Sequence, residues 1–325
     1  MFLLCMGDVM SDLTPAAMAL FARRHGVLAT SHLRECGVGR STTERLVRAR
    51  VLRREHKSVY VLAAAPSTFE QRCAIVCAAH PEGFLTSTTA GVLLPLRRMP
   101  PRTGIHLATR HGVHLPADLG VVHRQTTAMY EHHVHRRPDG ISVARPPRLA
   151  FDLSIDLLPI DHLSVIHQLI EQRHTTLDEL VAIADELCHP ARRGSGRFRE
   201  SLARFGGGDA ADSHPEVVLA EALRDRGVPV VHQARVVRVG RGKTAKIDLA
   251  VPEVRWGVEL DVHPEHRSID GHSGDARRYR DLHIADWQVE PVSEGDMSDV
   301  ATVADDLAAL YRARQRQFVN RSSVS

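Results

Sequence analysis

Two stretches near the end of the chain alternate between apolar and polar residues, and the polar positions are mostly acidic. In 246–251, Ile247, Leu249 and Val251 are placed by period two on one face of a strand; in 258–262, Val258, Leu260 and Val262 are placed likewise. Asp248, Glu259 and Asp261 fall on the opposite faces. If Glu253 and Val254 form a two-residue turn, the strands make a hairpin with Asp248 directly across from Glu259. Carboxylates opposed on neighbouring strands repel. A divalent cation held by their oxygens supplies the compensation. The expected metal site is Asp248, Glu259 and Asp261 around Mg²⁺ or Mn²⁺, which polarises a phosphodiester and lowers the pKa of an attacking water.

The chain has 325 residues, enough for two or three domains. It is 43% hydrophobic and 25% charged, so a packed core is expected. A net charge of +3 does not by itself argue for nucleic acid; only clustering can. The five cysteines are scattered and read as reduced thiols, with Cys73 and Cys77 as small buried residues on one helix face. Residues 1–10 read as an extension without structure. No apolar run reaches spanning length, so no membrane partner and a cytoplasmic location are expected. No phosphate-cradling glycine loop and no G-x-S-x-G motif is present, which argues against nucleotide-driven and serine-hydrolase chemistry. His132, His133 and His135 cluster beside Glu131 without a firm further ligand and are set aside.

Near the N-terminus, Thr14 is placed to cap a helix over 16–24 that Gly26 stops. Thr30 or Ser31 caps a second helix ended by Gly37, and Ser41 caps a third over 42–50. Residues 51–62 are β-rich with a tip at Lys57-Ser58. Three short helices followed by a hairpin is the winged helix-turn-helix pattern. Arg40, Thr42, Thr43, Arg45, Arg48 and Arg50 gather on the third helix and its approach, and Arg53, Arg54 and Lys57 continue onto the hairpin. Arginine and hydroxyl side chains are what phosphates and base edges accept, so DNA is the expected partner.

The remaining pattern predicts a mixed α+β and helical middle region over 66–205, with helices near 148–157, 161–172, 177–188 and 196–205. A linker at 206–212 follows, opened by Gly206-Gly207-Gly208, and then a last domain over 213–325.

Two resemblances add to this reading. Residues 26–62 (GVLATSHLRECGVGRSTTERLVRARVLRREHKSVYVL) and 140–154 (GISVARPPRLAFDLS) resemble the AbiEi family of type IV antitoxins, although Ala144 and Leu149 stand where that family commonly has threonine. The segments HPEVVLAEALRDRGVP, KIDLAVPEVRWGVELDVHPEH and DARRYRDLHIADWQVEPV resemble a family related to very-short-patch-repair (Vsr) endonucleases, with a PD-(D/E)xK core. That resemblance implies a restriction-endonuclease-like α/β/α fold. It implies Asp248, Glu259 and Asp261 as catalytic acids and Glu216 as an added acid on the preceding helix. It also implies His263 and His266 as aids to proton transfer, and Arg278 with Asp281 on the following helix. No lysine follows Glu259 at the E-x-K spacing, and Val262 replaces a common glycine. The expected fold class is thus α/β multidomain. Three functions stay open: a metal-dependent endonuclease in repair or defence, a non-catalytic regulator of the antitoxin type with a toxin partner, and a structural adaptor.

Overall fold

The computed structural model describes residues 12–101, 104–115, 119–206, 209–237, 244–261 and 279–322. It is a mixed α/β chain of two compact units, 1–156 and 157–325. Residues 157–205, grouped by sequence with the middle region, belong with the C-terminal unit.

The first unit begins with α1 (Pro15–Arg23), β1 (Val27–Ala29), α2 (Thr30–Glu35) and α3 (Arg40–Arg48). Thr14 caps α1, its Oγ1 accepting from the Ala17 N–H. The other two starts differ from expectation. The cap of α2 is Ala29, whose N–H donates to His32 Nδ1, and α3 starts after Gly39, two residues early. Strands β2 (Leu52–His56) and β3 (Val59–Leu62) pair antiparallel around Lys57 and Ser58, in the sheet order β1-β3-β2. Both faces of this small sheet are covered. Leu28 and Tyr60 pack with Phe21, Leu33 and Leu46, while Val27, Val59 and Val61 pack with α4 (Phe69–Ala79). Two-sided burial explains why 59–62 reads Val-Tyr-Val-Leu with no polar position.

Beyond α4, the strands β4 (Phe84–Leu85), β5 (Ile105–Arg110), β6 (Val121–Thr126), β7 (Val134–Arg136) and β8 (Ser142–Ala144) form a sheet in the order β6-β5-β4-β8-β7. Helices α5 (Ser87–Leu93) and α6 (Pro146–Leu153) are tied together by a buried polar network. Arg148 Nε donates to Asp152 at 3.0 Å, the Thr86 hydroxyl donates to the same carboxylate, and Ser87 and Arg124 both donate to Asp156.

The second unit opens with α7 (Pro159–Glu171), α8 (Leu177–Leu187) and α9 (Ser195–Phe205), then α10 (His214–Arg224). Strands β9 (Val231–Val237), β10 (Thr244–Val251), β11 (Trp256–Asp261) and β12 (Gln288–Ser293) form one sheet in the order β12-β11-β10-β9. Only the β11–β12 pair is parallel. α10 and α11 (Val300–Ser322) cover one face, over Leu249, Val251, Trp256 and Val258. Tyr279 and Leu282 cover the other, over Ala245, Ile247 and Ala250.

The expectation that Ile247 shares a face with Leu249 and Val251 is therefore corrected. A Cβ built on Gly257 would lie 2.7 Å from Ile247 Cγ2 and 3.6 Å from Ala250 Cβ, so Ile247 and Ala250 lie on the Gly257 side. Alternation breaks at Asp248. The segment 206–212 is also not free chain throughout: Ala211 is buried and its N–H donates to His167 Nδ1 at 2.9 Å. Among the described residues, no helix is long and apolar enough to cross a membrane.

Candidate functional site

An acidic site is assembled at the break in β10. Glu216 sits at the third position of α10, where Ser213 is the N-cap. The S-x-x-E spacing folds the carboxylate back over the helix start. Ser213 Oγ donates to Glu216 Oε1 at 2.8 Å, and the Asp212 N–H donates to Oε2 at 3.0 Å. Gln233 Nε2 donates to the same Oε2 at 2.6 Å. Glu216 is only 5% exposed. Burial, and then the nearby Asp248 carboxylate, push its carboxyl up to about 7 against the pull of those hydrogen bonds.

Asp248 stands where both neighbouring ladders lapse. β10 and β11 are joined, centred on Glu253 and Val254 as expected, by a 3-10 turn over Pro252–Val254 followed by Arg255 and not by a two-residue turn. Their register runs from Val251↔Trp256 to Leu249↔Val258 and leads Asp248 toward Glu259. The next link is not a backbone pair, because the Leu260 N–H donates to Asp248 Oδ2 at 2.9 Å. On the other side, the β9–β10 register pairs Ile247 with Ala234 and Leu249 with His232, passing over Asp248 and Gln233. Gln233 has φ +55, a left-handed conformation that is uncommon for a residue of this kind inside a strand. Gln233, Asp248 and Glu259 thus occupy one row across β9, β10 and β11, with Glu216 joining from α10. Glu259 is half-buried and pairs with Pro291 on β12.

Asp261 lies at the end of β11, its backbone paired with Ser293, and its side chain is outside the described residues. His263, His266 and Arg278 are outside the described residues as well. Asp281 is buried.

Two features here escaped the sequence reading. One is Gln233, for which a strand pattern gives no signal, since a positive φ at glutamine is not encoded locally. The other is a pair of histidines among the 21 of the chain. His167 and His232 are buried with ring centroids 4.8 Å apart. Burial pushes His167 down to about 3 and His232 down to about 4, so both are neutral. Among the histidines set aside earlier, His133 is buried with its Nδ1 3.0 Å from Arg148 Nη1. The Cys77 thiol, buried, is pushed up to about 12, in keeping with a packing role.

In the first unit, Arg40, Arg45, Arg48, Arg50, Arg53, Arg54 and Lys57 are exposed on α3 and the β2–β3 hairpin, and Thr42 is half-buried. Thr43 is a correction: it is 5% exposed and its hydroxyl donates to the Gly39 carbonyl at 3.0 Å, so it serves the helix start and not the surface. Arg45 pairs with Asp12 at 2.8 Å, Arg53 with Glu55 at 2.7 Å and Arg54 with Glu44 at 2.6 Å. Among the described residues, Arg40, Arg48, Arg50 and Lys57 make no ion pair.

No protein-family model matches the sequence, and no curated protein matches it. Among solved structures, the chain is similar to the crystal structure of the RV2827C protein from Mycobacterium tuberculosis. The likeness is 19% identity over 62% of this chain and 79% of that one, with a TM-score of 0.38.

Proposed function

We propose that this is a DNA-binding protein whose C-terminal unit hydrolyses phosphodiester bonds with a divalent cation, in DNA repair or defence. On this reading residues 11–65 are a winged helix-turn-helix and 213–325 a restriction-endonuclease-like α/β/α domain. The observation that carries it is Glu216 of α10 beside Asp248, which shares a register row with Glu259, at a point where the ladders open. A sheet keeps adjacent carboxylates only with compensation, and a hard cation takes oxygen ligands of this kind. The residues present fit Mg²⁺ or Mn²⁺: Asp248, Glu216 and Glu259 would hold it, with Asp261 at the strand end. When bound, such an ion polarises the phosphodiester and lowers the pKa of a water. The chain's own part is positioning. Gln233, Ser213 and the Asp212 N–H orient Glu216, and the Leu260 N–H orients Asp248.

A second reading, a non-catalytic regulator of the antitoxin type with a toxin partner, is favoured by the unpaired cations of α3 and by the absence of lysine from β11. Plasmid nicking with Mg²⁺ or Mn²⁺, beside Asp248→Ala, Glu216→Gln and an EDTA control, separates the two. Metal-dependent cleavage lost in Asp248→Ala is the expected result. A DNA shift in a gel with no cleavage removes the catalytic assignment and leaves the regulator.

A further inference from the structure

A cavity of about 580 Å³ opens in the first unit, away from the acidic site. One wall comes from the approach to α2, with Arg24, Val27 and His32. The other comes from α4 and the turn between β7 and β8, with Ala74, Ala78 and Gly140. Its size is that of a small-molecule site, and its wall is mixed, with Val27, Ala74 and Ala78 beside charged and hydroxyl-bearing residues such as Arg24, Ser31 and Arg137.

The cations of the wall are not equivalent. Arg137 pairs with Asp139 at 2.6 Å, and Arg136 holds Glu131 through two hydrogen bonds of 2.9 and 3.1 Å. Arg24 has no carboxylate among the described residues. Its Nη1 lies 2.7 Å from His32 Nε2 and 3.1 Å from Nδ1, and its Nε is buried without an acceptor. His32 Nδ1 already accepts the Ala29 N–H at 3.2 Å. Burial and Arg24 itself lower the pKa of that imidazole, against a smaller opposing pull from Glu35. A guanidinium leaning on an imidazole, with its buried Nε unused among the described residues, leaves a charge without a carboxylate partner in partly desolvated surroundings. The stem of Arg24 runs close to Gly140, which has φ +89 and where a Cβ would come within 3.4 Å of Arg24 Cδ.

We propose that this cavity binds a small organic anion, its head group on Arg24 and its apolar body on Val27, Ala74 and Ala78. A phosphate or carboxylate head accepts two hydrogen bonds from a guanidinium fork. The inference is independent of nuclease activity and of DNA binding.

Titration calorimetry of the full chain at fixed ionic strength tests it, with phenyl phosphate, inorganic phosphate and benzyl alcohol as probes. Phenyl phosphate is expected to bind saturably at one site, tighter than inorganic phosphate, and benzyl alcohol not at all. Arg24→Gln is expected to weaken phenyl phosphate by about tenfold or more, with partial recovery in Arg24→Lys. Ala78→Leu, which narrows the floor and leaves Arg24 in place, is expected to weaken phenyl phosphate and spare inorganic phosphate. It keeps the test decisive if Arg24→Gln does not fold. The proposal is overturned by absence of saturable binding, or by binding that survives both substitutions. Binding lost instead in Arg48→Gln overturns it too, by placing the anion on the α3 surface.

Discussion

At the scale of single residues, the acidic site and the histidine pair behind it titrate in opposite senses. The folded pKa of Glu216, about 7, lies above its ordinary 4.5. The unfolded chain releases that proton first, so stability falls as pH rises from about 4.5 to about 7, and the full difference is on the order of 3 kcal/mol. A glutamine can offer its oxygen to the Asp212 and Gln233 donors and its NH₂ to Ser213. Glu216→Gln is therefore expected to be more stable than the native chain above pH 7, by roughly 1–3 kcal/mol, and to lose that advantage below pH 4.5. Urea unfolding at pH 4.5 and pH 8 reads this directly, and equal midpoint shifts at both values would refute the buried, proton-sharing carboxyl.

His167 and His232 have folded values below the ordinary 6.5, so their contribution is lost as pH falls from 6.5 toward about 4 and about 3. Two protons taken up on unfolding outweigh the one that Glu216 holds. From these groups, stability of the second unit is expected to peak near pH 6.5. His167→Asn keeps an acceptor for the Ala211 N–H and removes one of the two titrations. Its urea midpoint is expected to fall less steeply than the native one between pH 6.5 and pH 4.5, whatever its absolute stability. Asp248, Glu259 and Asp261 were legible in the sequence, because period two is a local rule even though it breaks at Asp248, whereas Glu216 came only with the family resemblance. Gln233 and the histidine pair were not. Their meaning comes from burial and from contacts between residues such as 167 and 232, which no local pattern records.

At the scale of elements, α3 and the β2–β3 hairpin carry the DNA reading, and their exposed cations should act as counterion-releasing contacts. Arg48→Ala and Lys57→Ala are each expected to weaken DNA binding across sequences and to lower the slope of log K against log salt by about one. Thr43→Val, at a buried position, is expected to leave that slope unchanged while weakening the start of α3. Fluorescence anisotropy across a KCl series distinguishes these outcomes, and an unaltered slope in both cation variants would move DNA off this face.

The buried network between α5 and α6 yields a different expectation. Arg148 and Asp152 are both under 5% exposed, so Asp152→Ala strands a buried guanidinium. The expected loss is about 3–5 kcal/mol by thermal or urea unfolding, with Arg148→Met/Asp152→Leu costing less than the single change. Helices with caps were readable, such as α1 after Thr14. The strands β1, β4 and β7 were not, because two or three residues hold no period and their pairing is set by partners far along the chain.

At the scale of the whole molecule, the glycine run at 206–208 marked a boundary that composition favours, yet the chain divides at 156/157. The reason lies in what crosses the glycines. The Ala211 N–H donates to His167, Ser164 is hydrogen-bonded to His214 Nδ1 at 2.7 Å, and Arg204 pairs with Glu221 at 2.5 Å. His167 packs against His232, at the end of the sheet that carries Gln233 and Asp248. Helices α7 and α9 therefore support the acidic site through α10 and β9, within one compact unit.

Two fragments test this. Residues 157–325 are expected to unfold cooperatively in urea with native-like far-ultraviolet circular dichroism. Residues 206–325 lose the cover over His232 and Arg204, one of the two arginine partners of Glu221, while Arg224 stays at 2.9 Å. They are expected to show a shallower, earlier transition, because exposing these groups removes apolar contact and one of the two arginines that pair with the buried Glu221 carboxylate. If both fragments unfold at the same midpoint with the same slope, the helices 159–205 contribute nothing to the sheet, and the boundary belongs at the glycines after all.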